Sequence, residues 1–492
     1  MRCANGHAVR PGGDYVLYWM IAARRTSSSF ALDRAVAWAR QLAKPLVVLE
    51  ALRAGYPWAS DRLHRFVLDG MRDNARAFLR VPVLYHPYVE PTIGAGKGLL
   101  NALGARACVV VTDDFPCFFL PRMVASAAQQ LAVRMEVVDG NGLLPLAAAD
   151  RAFTAASHFR RFAQRELPRH LGRFPRSKPF AGTALPPPPQ LPPEIADRWP
   201  AAPAALLAGE VAELEKLPID HAVEPVDLRG GSRPARSALR AFVTRRLERY
   251  ADAHREPESH ATSRLSPYLH FGHVSAHDVF AAVMNAEGWS GDRLASRGAT
   301  GARAGWWDAS PSAEAFLDQL VVWRELGFNM CHRRPHDYDR YESLPDWSRA
   351  TLERHGRDPR PHLYRRRDFE AADTHDELWN AAQGELLRDG WFHNTMRMLW
   401  GKKILEWSRS PREALATMTE IMNRWSLDGR NPNSYTGYLW TLGRYDRPWP
   451  ERPIYGSVRS MSSRNTARKV SVGGYIATYG GAPQLDLIPP EG

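Results

Sequence analysis

The sequence contains no run of eighteen or more apolar residues, so it offers no segment able to cross a membrane as a helix. Its opening residues, MRCANGHAVRPGGDY, lack the apolar stretch of a secretory signal, and an intracellular location is expected. Cysteine is scarce. The four cysteines, Cys3, Cys108, Cys117 and Cys331, lie far apart, with no CxxC pair and no Cys/His spacing suited to zinc. This points away from a disulfide framework and from a structural metal; free buried thiols are expected instead. No GxGxxG follows the first apolar run, so the dinucleotide fingerprint is absent. Acidic residues are in the minority: Asp+Glu 53 against Lys+Arg 65 leaves a formal charge of +12. That excess favours contact with a polyanion such as DNA, without saying which part of it would be read.

With 492 residues, 44% hydrophobic and 24% charged, the chain is long enough for two or three domains with a large buried core. From residue 14 to 150, the apolar runs YVLYWMI, PLVVLEAL, VPVLYHP, ACVVVTDD and RMEVVDG alternate with amphipathic stretches such as SFALDRAVAWARQLA and LPRMVASAAQQLAVRM. This predicts an α/β domain with a parallel sheet covered by helices, Rossmann-like but without GxGxxG. Residues 151–235 contain ALPPPPQLPPEIADRWPAAPAA, which cannot continue a helix or a central strand, and predict an interdomain linker. From 236 to 475 helical periodicity dominates, as in AEAFLDQLVVWRELGFNMC and PREALATMTEIMNRW, and predicts an all-helical domain. The last 30 or so residues, including a tail at 476–492, carry no clear period; strand-like or irregular structure with a frayed end is expected there.

Three stretches of the helical half carry chemistry. Trp323, Trp379, Trp391, Trp400, Trp407, Trp425, Trp440 and Trp449 crowd into it. Indoles stack on bases and flavins, but they also simply fill volume. Trp400 and Trp407 are seven apart in MRMLWGKKILEW, which places them on one helix face about 10 Å apart along the axis, a separation an electron can cross. ATSRLSPYLHFGHVS (261–275) clusters hydroxyls before a proline that can open a helix, which suits either an ordinary cap or a phosphate. LDGRNPNSYTGYLW (427–440) sets Asp428, Arg430, Asn431 and Asn433 before aromatics, as a surface turn or a site for a flat heteroaromatic ligand would.

In order and spacing these stretches, together with VVWREL (321–326), THDELWNAAQ (374–383) and WPERPIYGSVR (449–459), resemble class II DNA photolyases over roughly residues 14–475. The resemblance implies an N-terminal α/β domain that often holds an antenna pigment, here of the deazaflavin type, and an all-helical C-terminal FAD-binding domain. It also implies a monomer that repairs cyclobutane pyrimidine dimers in DNA by electron transfer from photoexcited, reduced FAD. Carried over by position, Tyr250, Thr262, Ser263, Leu265 and Ser266 match the grip on the FAD phosphates and ribityl chain. Arg397 and Asp428 match a salt-bridged pair beside the flavin ring, where a fixed cation favours the anionic reduced form, and Arg430 lies in the same loop. Trp400, Trp379 and Trp407 match a tryptophan relay in that order outward from the flavin, with Tyr364 as a further donor. Trp323, Met398 and Trp440 match the pocket for the flipped dimer.

The sequence departs from the family pattern at two sites. Met422 stands where the family has an Asn facing flavin N5, with Asn423 one step away, and a thioether makes no strong hydrogen bond. Gln319 stands where a Glu hydrogen-bonds the dimer, beside Asp318, so hydrogen bonding is kept and the charge is lost. Leu399 and the change to DGRNPNSY also mark a divergent branch. Three readings follow: dimer repair, favoured by the charge, by Trp323 and Trp440 and by the lack of a long signalling tail; a cryptochrome-like photoreceptor without repair, favoured by Met422 and Gln319; and a flavoprotein with another photochemical substrate.

Overall fold

The structure is a computed structural model and describes residues 1–182, 184–294 and 298–481. The chain forms two compact units. One comprises Met1–Ala148, Glu166–Val243 and the described residues from Ser263 to 294; the other comprises Ala149–Arg165, Thr244–Thr262 and the described residues from 298 on. The chain thus passes between the units several times. Residues 166–243 and 263–294 belong with the sheet unit, although the sequence reading assigned them to a linker and to the helical half.

The first unit is built on strands β1 (Arg2–Cys3), β2 (Tyr15–Met20), β3 (Leu46–Leu52), β4 (Val83–Val89), β5 (Ala107–Asp114) and β6 (Met135–Asp139) in the order β1-β6-β5-β2-β3-β4. β2 to β6 pair in parallel, as their continuous apolar runs predict for a sheet covered on both faces. β1 was not anticipated: two residues pair antiparallel with β6, Arg2 opposite Val137, and leave Cys3 exposed while the other three cysteines are buried. Helices α1 (Phe30–Leu42), α2 (Asp61–Phe78), α3 (Leu99–Arg106) and α4 (Leu120–Gln130) pack on the sheet. Leu17, Val47, Val110 and Val137 face Leu103 of α3 and Ala127 of α4, whereas Val16, Tyr18, Val48 and Val109 face Leu32, Ala35 and Val36 of α1. α1 and α2 start at Ser29 and Ser60, whose hydroxyls accept from Leu32 N and Leu63 N.

At the C-terminal end of β2, where such sheets commonly hold a phosphate, the amides of Ile21, Ala22 and Ala23 donate at 2.9, 2.8 and 3.0 Å to the buried carboxylate of Asp113 on β5. These amides are already occupied by an internal side chain, in keeping with the missing glycine fingerprint.

The proline-rich segment is a packed strap on this unit and not a free linker. Ile195 and Trp199 enter the core on the α3/α4 side, Trp199 Nε1 donates to Ala95 O at 2.9 Å, and Leu206, Leu207, Leu214 and Leu217 pack with Leu52, Val67 and Leu68. Prolines limit the strap to short helices such as Pro193–Ala196 and Ala204–Ala208, but the apolar residues set between them bring enough surface to dock.

The second unit is helical. Its principal elements are α5 (Pro311–Leu317), a π-helical stretch at Asp318–Trp323, α6 (Arg324–Arg333), α7 (Glu377–Asp389), α8 (Asn394–Trp407), α9 (Pro411–Trp425) and α10 (Pro432–Thr441). α10 packs against α6, α8 and α9. Two glycines allow the close approach: a Cβ at Gly327 would stand 2.8 Å from Thr436 Oγ1, and one at Gly401 would stand 2.7 Å from Thr441 Oγ1. The C-terminal expectation is corrected. Ser463–Ala467 and Gly473–Tyr479 are short helices, and Tyr475 and Tyr479 donate to Glu385 and Asp389 of α7 at 2.6 and 3.1 Å. Two tyrosine anchors supply the order that the weak periodicity concealed; residues 482–492 of the expected tail lie outside the described residues.

Candidate active site

α7 and α8 bring three indoles into one row, and Tyr364, from the irregular segment before them, extends it with a phenol. Trp400 and Trp379 lie 6.3 Å apart between ring centroids and 7° from parallel. Trp379 and Trp407 follow at 5.9 Å, and Trp407 and Tyr364 at 5.7 Å. Trp379 therefore fills the gap between the two indoles that share α8. All three tryptophans are fully buried, while Tyr364 is half-buried, so the row runs from the interior toward solvent. Local hydrogen bonds fix the inner two members. Asp376 caps α7 by accepting from Trp379 N at 3.0 Å, Trp379 Nε1 donates to Trp400 O at 3.0 Å, and Trp400 Nε1 donates to Gln383 Oε1 at 2.9 Å. Neighbouring π-systems this close can pass an electron stepwise.

Phe392 joins the inner end of the row to a charged pair: its ring lies 5.7 Å from Trp400 and 5.0 Å from the Arg397 guanidinium. Arg397 Nη2 contacts both oxygens of Asp428, at 3.1 and 3.3 Å, and Ser426 Oγ donates to Asp428 at 2.7 Å. The Arg397 Nε is buried without a hydrogen-bond partner, a donor available to an acceptor such as a flavin ring.

Around this pair other candidates have internal tasks. Arg430 is buried: Nη1 donates to Asn423 O and Nη2 to Ser426 O at 3.1 Å, capping the end of α9. Asn423 is engaged as well. Its Oδ1 accepts from Arg430 N at 2.7 Å and contacts Tyr438 OH at 3.4 Å, and its Nδ2 lies 3.4 Å from Tyr435 OH. Met422 is fully buried on α9. Burial also pushes the Tyr438 phenol upward, so it stays protonated as a donor.

Gln319 and Trp323 stand one turn apart on the π-helical stretch and are both half-exposed, while Asp318, Leu320, Val321 and Val322 are buried. π-turns inside helices are frequent at functional sites. Asp318 does not stand in for the missing Glu: its carboxylate is held by Arg160 at 2.8 Å and Arg303 at 3.4 Å. Met398 on α8 and Trp440 on α10 are likewise half-exposed. Behind Trp440 lies a residue that the sequence reading missed. Lys402 is fully buried, donates to Thr441 O at 2.6 Å and sits 4.8 Å from the Trp440 ring; burial pushes its ammonium down to about 7. Its place in GKK between Trp400 and Trp407, beside the apolar residues Leu399, Ile404 and Leu405 of the same helix, was the available signal.

Tyr250 is buried on a short helix in the second unit, stacked on His254 at 4.8 Å and edge-on to Phe316 at 5.5 Å, and Thr262 O of the same unit accepts from Arg246 at 3.0 Å. Ser263, Leu265 and Ser266 belong to the first unit. Ser263 Oγ accepts from Leu265 N at 3.4 Å, and the helix that Ser266 and Pro267 open runs only five residues, to His270.

An α/β sheet unit together with a helical unit is the fold of photolyases and cryptochromes. The chain superimposes on a bacterial class III photolyase from Agrobacterium tumefaciens with a TM-score of 0.66 at 15% identity, covering 95% of this chain and 86% of that one. It superimposes on a Synechocystis sp. PCC6803 cryptochrome with the same TM-score and identity, covering 94% and 88%. No family model matches the sequence. The chain is 32% identical to the deoxyribodipyrimidine photo-lyase of Methanothermobacter thermautotrophicus, over 97% of both chains, and 33% identical to that of Oryza sativa subsp. japonica, over 95% of this chain and 88% of that one. It belongs to the deoxyribodipyrimidine photo-lyase family.

Proposed function

We propose that this protein splits cyclobutane pyrimidine dimers in DNA in the light, as a divergent member of the class II branch, with FAD as its redox cofactor. The row Trp400–Trp379–Trp407–Tyr364, joined through Phe392 to Arg397 and Asp428, is the observation that carries the reading. Bound FAD would supply light-driven one-electron chemistry. Arg397, with its buried free Nε and its carboxylate partner, fits the ring of such a group, and Tyr250 and Thr262 would hold its phosphate and ribityl end. The indole row carries electrons inward to keep the site reduced. Trp323, Met398 and Trp440 present half-exposed apolar surface to an extruded dimer, whose damaged stacking lowers the cost of extrusion. Gln319 hydrogen-bonds the lesion without bringing a charge. The resemblance extends to a deazaflavin-type antenna pigment in the first unit, which absorbance of the purified protein beyond the flavin bands tests.

The deciding experiment illuminates the reduced protein with dimer-containing DNA and assays dimer loss. Photoreduction without dimer loss would favour the second reading, a cryptochrome-like photoreceptor, which the apolar Met422 and uncharged Gln319 support.

A further inference from the structure

The outer end of the aromatic row has a partner that no electron relay requires. Tyr364 Oη lies 2.7 Å from Nδ1 of His375, and the backbone N–H of His375 donates to the same oxygen at 3.0 Å. With that lone pair taken, the phenolic hydrogen is directed at Nδ1. The His375 ring lies 4.9 Å from Trp407 and stacks on His362 with centroids 3.6 Å apart, and His375 itself is exposed.

We propose that His375 is the proton acceptor that makes Tyr364 a proton-coupled terminus of the row. The inference rests on the reading that the row carries an electron. When a one-electron oxidant has left Trp407 as an indole radical cation, Tyr364 gives it one electron and gives its phenolic proton to His375 Nδ1. Trp407 returns to a neutral indole, Tyr364 becomes a neutral phenoxyl radical and His375 an imidazolium. Loss of the proton keeps the hole from returning inward, since the back transfer must recover a proton that an exposed imidazole exchanges with water. Re-reduction of the radical by an external thiol restores both groups.

The acceptor must be neutral. Partial desolvation first, then the neighbouring His362 and Lys403, hold His375 below its ordinary 6.5, against the opposing pull of Asp376 and Glu406. Lys403 and Glu406 reach it from α8 and are themselves paired at 2.7 Å. His375 is therefore open as an acceptor at pH 6.5 and above, and closes as the pH falls below its lowered value.

The test uses the purified full-length protein and a ruthenium(III) polypyridyl oxidant generated by flash-quench, so that it does not depend on the flavin. The phenoxyl radical is followed by its absorbance and its electron paramagnetic resonance signal, with Tyr364→Phe identifying the residue. His375→Asn keeps an acceptor oxygen near Nδ1 but no base; it should slow radical formation about 100-fold, the order of effect of losing a general base. The slow step in the wild type should also show a solvent deuterium isotope effect that the variant loses. Equal rates in the wild type and His375→Asn, or the same signal in Tyr364→Phe, would overturn the proposal. If the ruthenium oxidant forms the radical but illumination of the flavin-loaded protein does not, the terminus stands and the reading of the row as the flavin's donor falls.

Discussion

Trp379 donates its indole N–H to the backbone oxygen of Trp400 at 3.0 Å while the two rings lie 7° from parallel. Backbone and rings thus hold the inner pair of the row in one geometry, and Gln383 completes it by accepting from Trp400 Nε1. Trp400→Phe removes that donor and leaves the buried Gln383 oxygen unpaired. The variant should lose about 2 kcal/mol of stability, read from the urea midpoint, and should still bind FAD. Rapid photoreduction of the flavin should disappear. Photoreduction at the wild-type rate would mean that the electron enters by another route.

DNA binding should weaken steeply with salt. A protein carrying +12 binds DNA largely by releasing counterions, and log K should fall with log salt by about 0.9 per phosphate contact. A titration across salt concentrations measures the slope, and a flat response would argue against DNA as the partner.

Lys402 gives a pH signature. Its ammonium is fully buried and pushed from 10.5 down to about 7, chiefly by burial, with Arg459 adding to the fall and Asp446 opposing it. Between these values the unfolded chain binds a proton that the folded chain does not, so stability rises with pH in this window and is flat in this term below pH 7. Lys402→Met keeps most of the volume and removes the titration. The stability difference, wild type minus variant, should climb by up to about 1.4 kcal/mol per pH unit from pH 7 toward 10.5. A pH-independent difference would mean that Lys402 keeps its proton. Because the lysine backs the Trp440 ring, the variant should also weaken binding of dimer-containing DNA.

The strands were legible because ACVVVTDD and its companions are buried on both faces, and a continuous apolar run needs no partner to be recognised. The order of the aromatic row was legible only through resemblance. Spacing alone left Trp400 and Trp407 far apart on one face, and Trp379, which closes the gap, comes from another helix. The same long-range packing hid the contacts of Gln383, Lys402 and His375, each of which reads locally as an ordinary polar position. Trp199 and Ile195 were hidden by the prolines around them, since composition marks what cannot form a helix and not what can dock. The π-turn before α6 has no local signature in DQLVVW.

Position 422 offers the sharpest test of how a bound flavin would be held. Asn423 cannot supply the missing amide, because its oxygen serves Arg430 N and Tyr438 and its nitrogen faces Tyr435. Asn423→Ala should therefore act as a structural lesion, costing about 3 kcal/mol with or without flavin by stripping several buried partners at once. Met422→Asn should behave differently. In the flavin-free protein it places an amide in a fully buried apolar position and should cost about 2 kcal/mol. In the flavin-loaded protein the amide gains a partner in the ring if position 422 faces it, and about 1 kcal/mol should return. Chemical unfolding of both variants, with and without FAD, separates the two behaviours. A Met422→Asn penalty that is the same in both states would mean that this side chain does not face the ring, and that Met422 is no mark of altered flavin control.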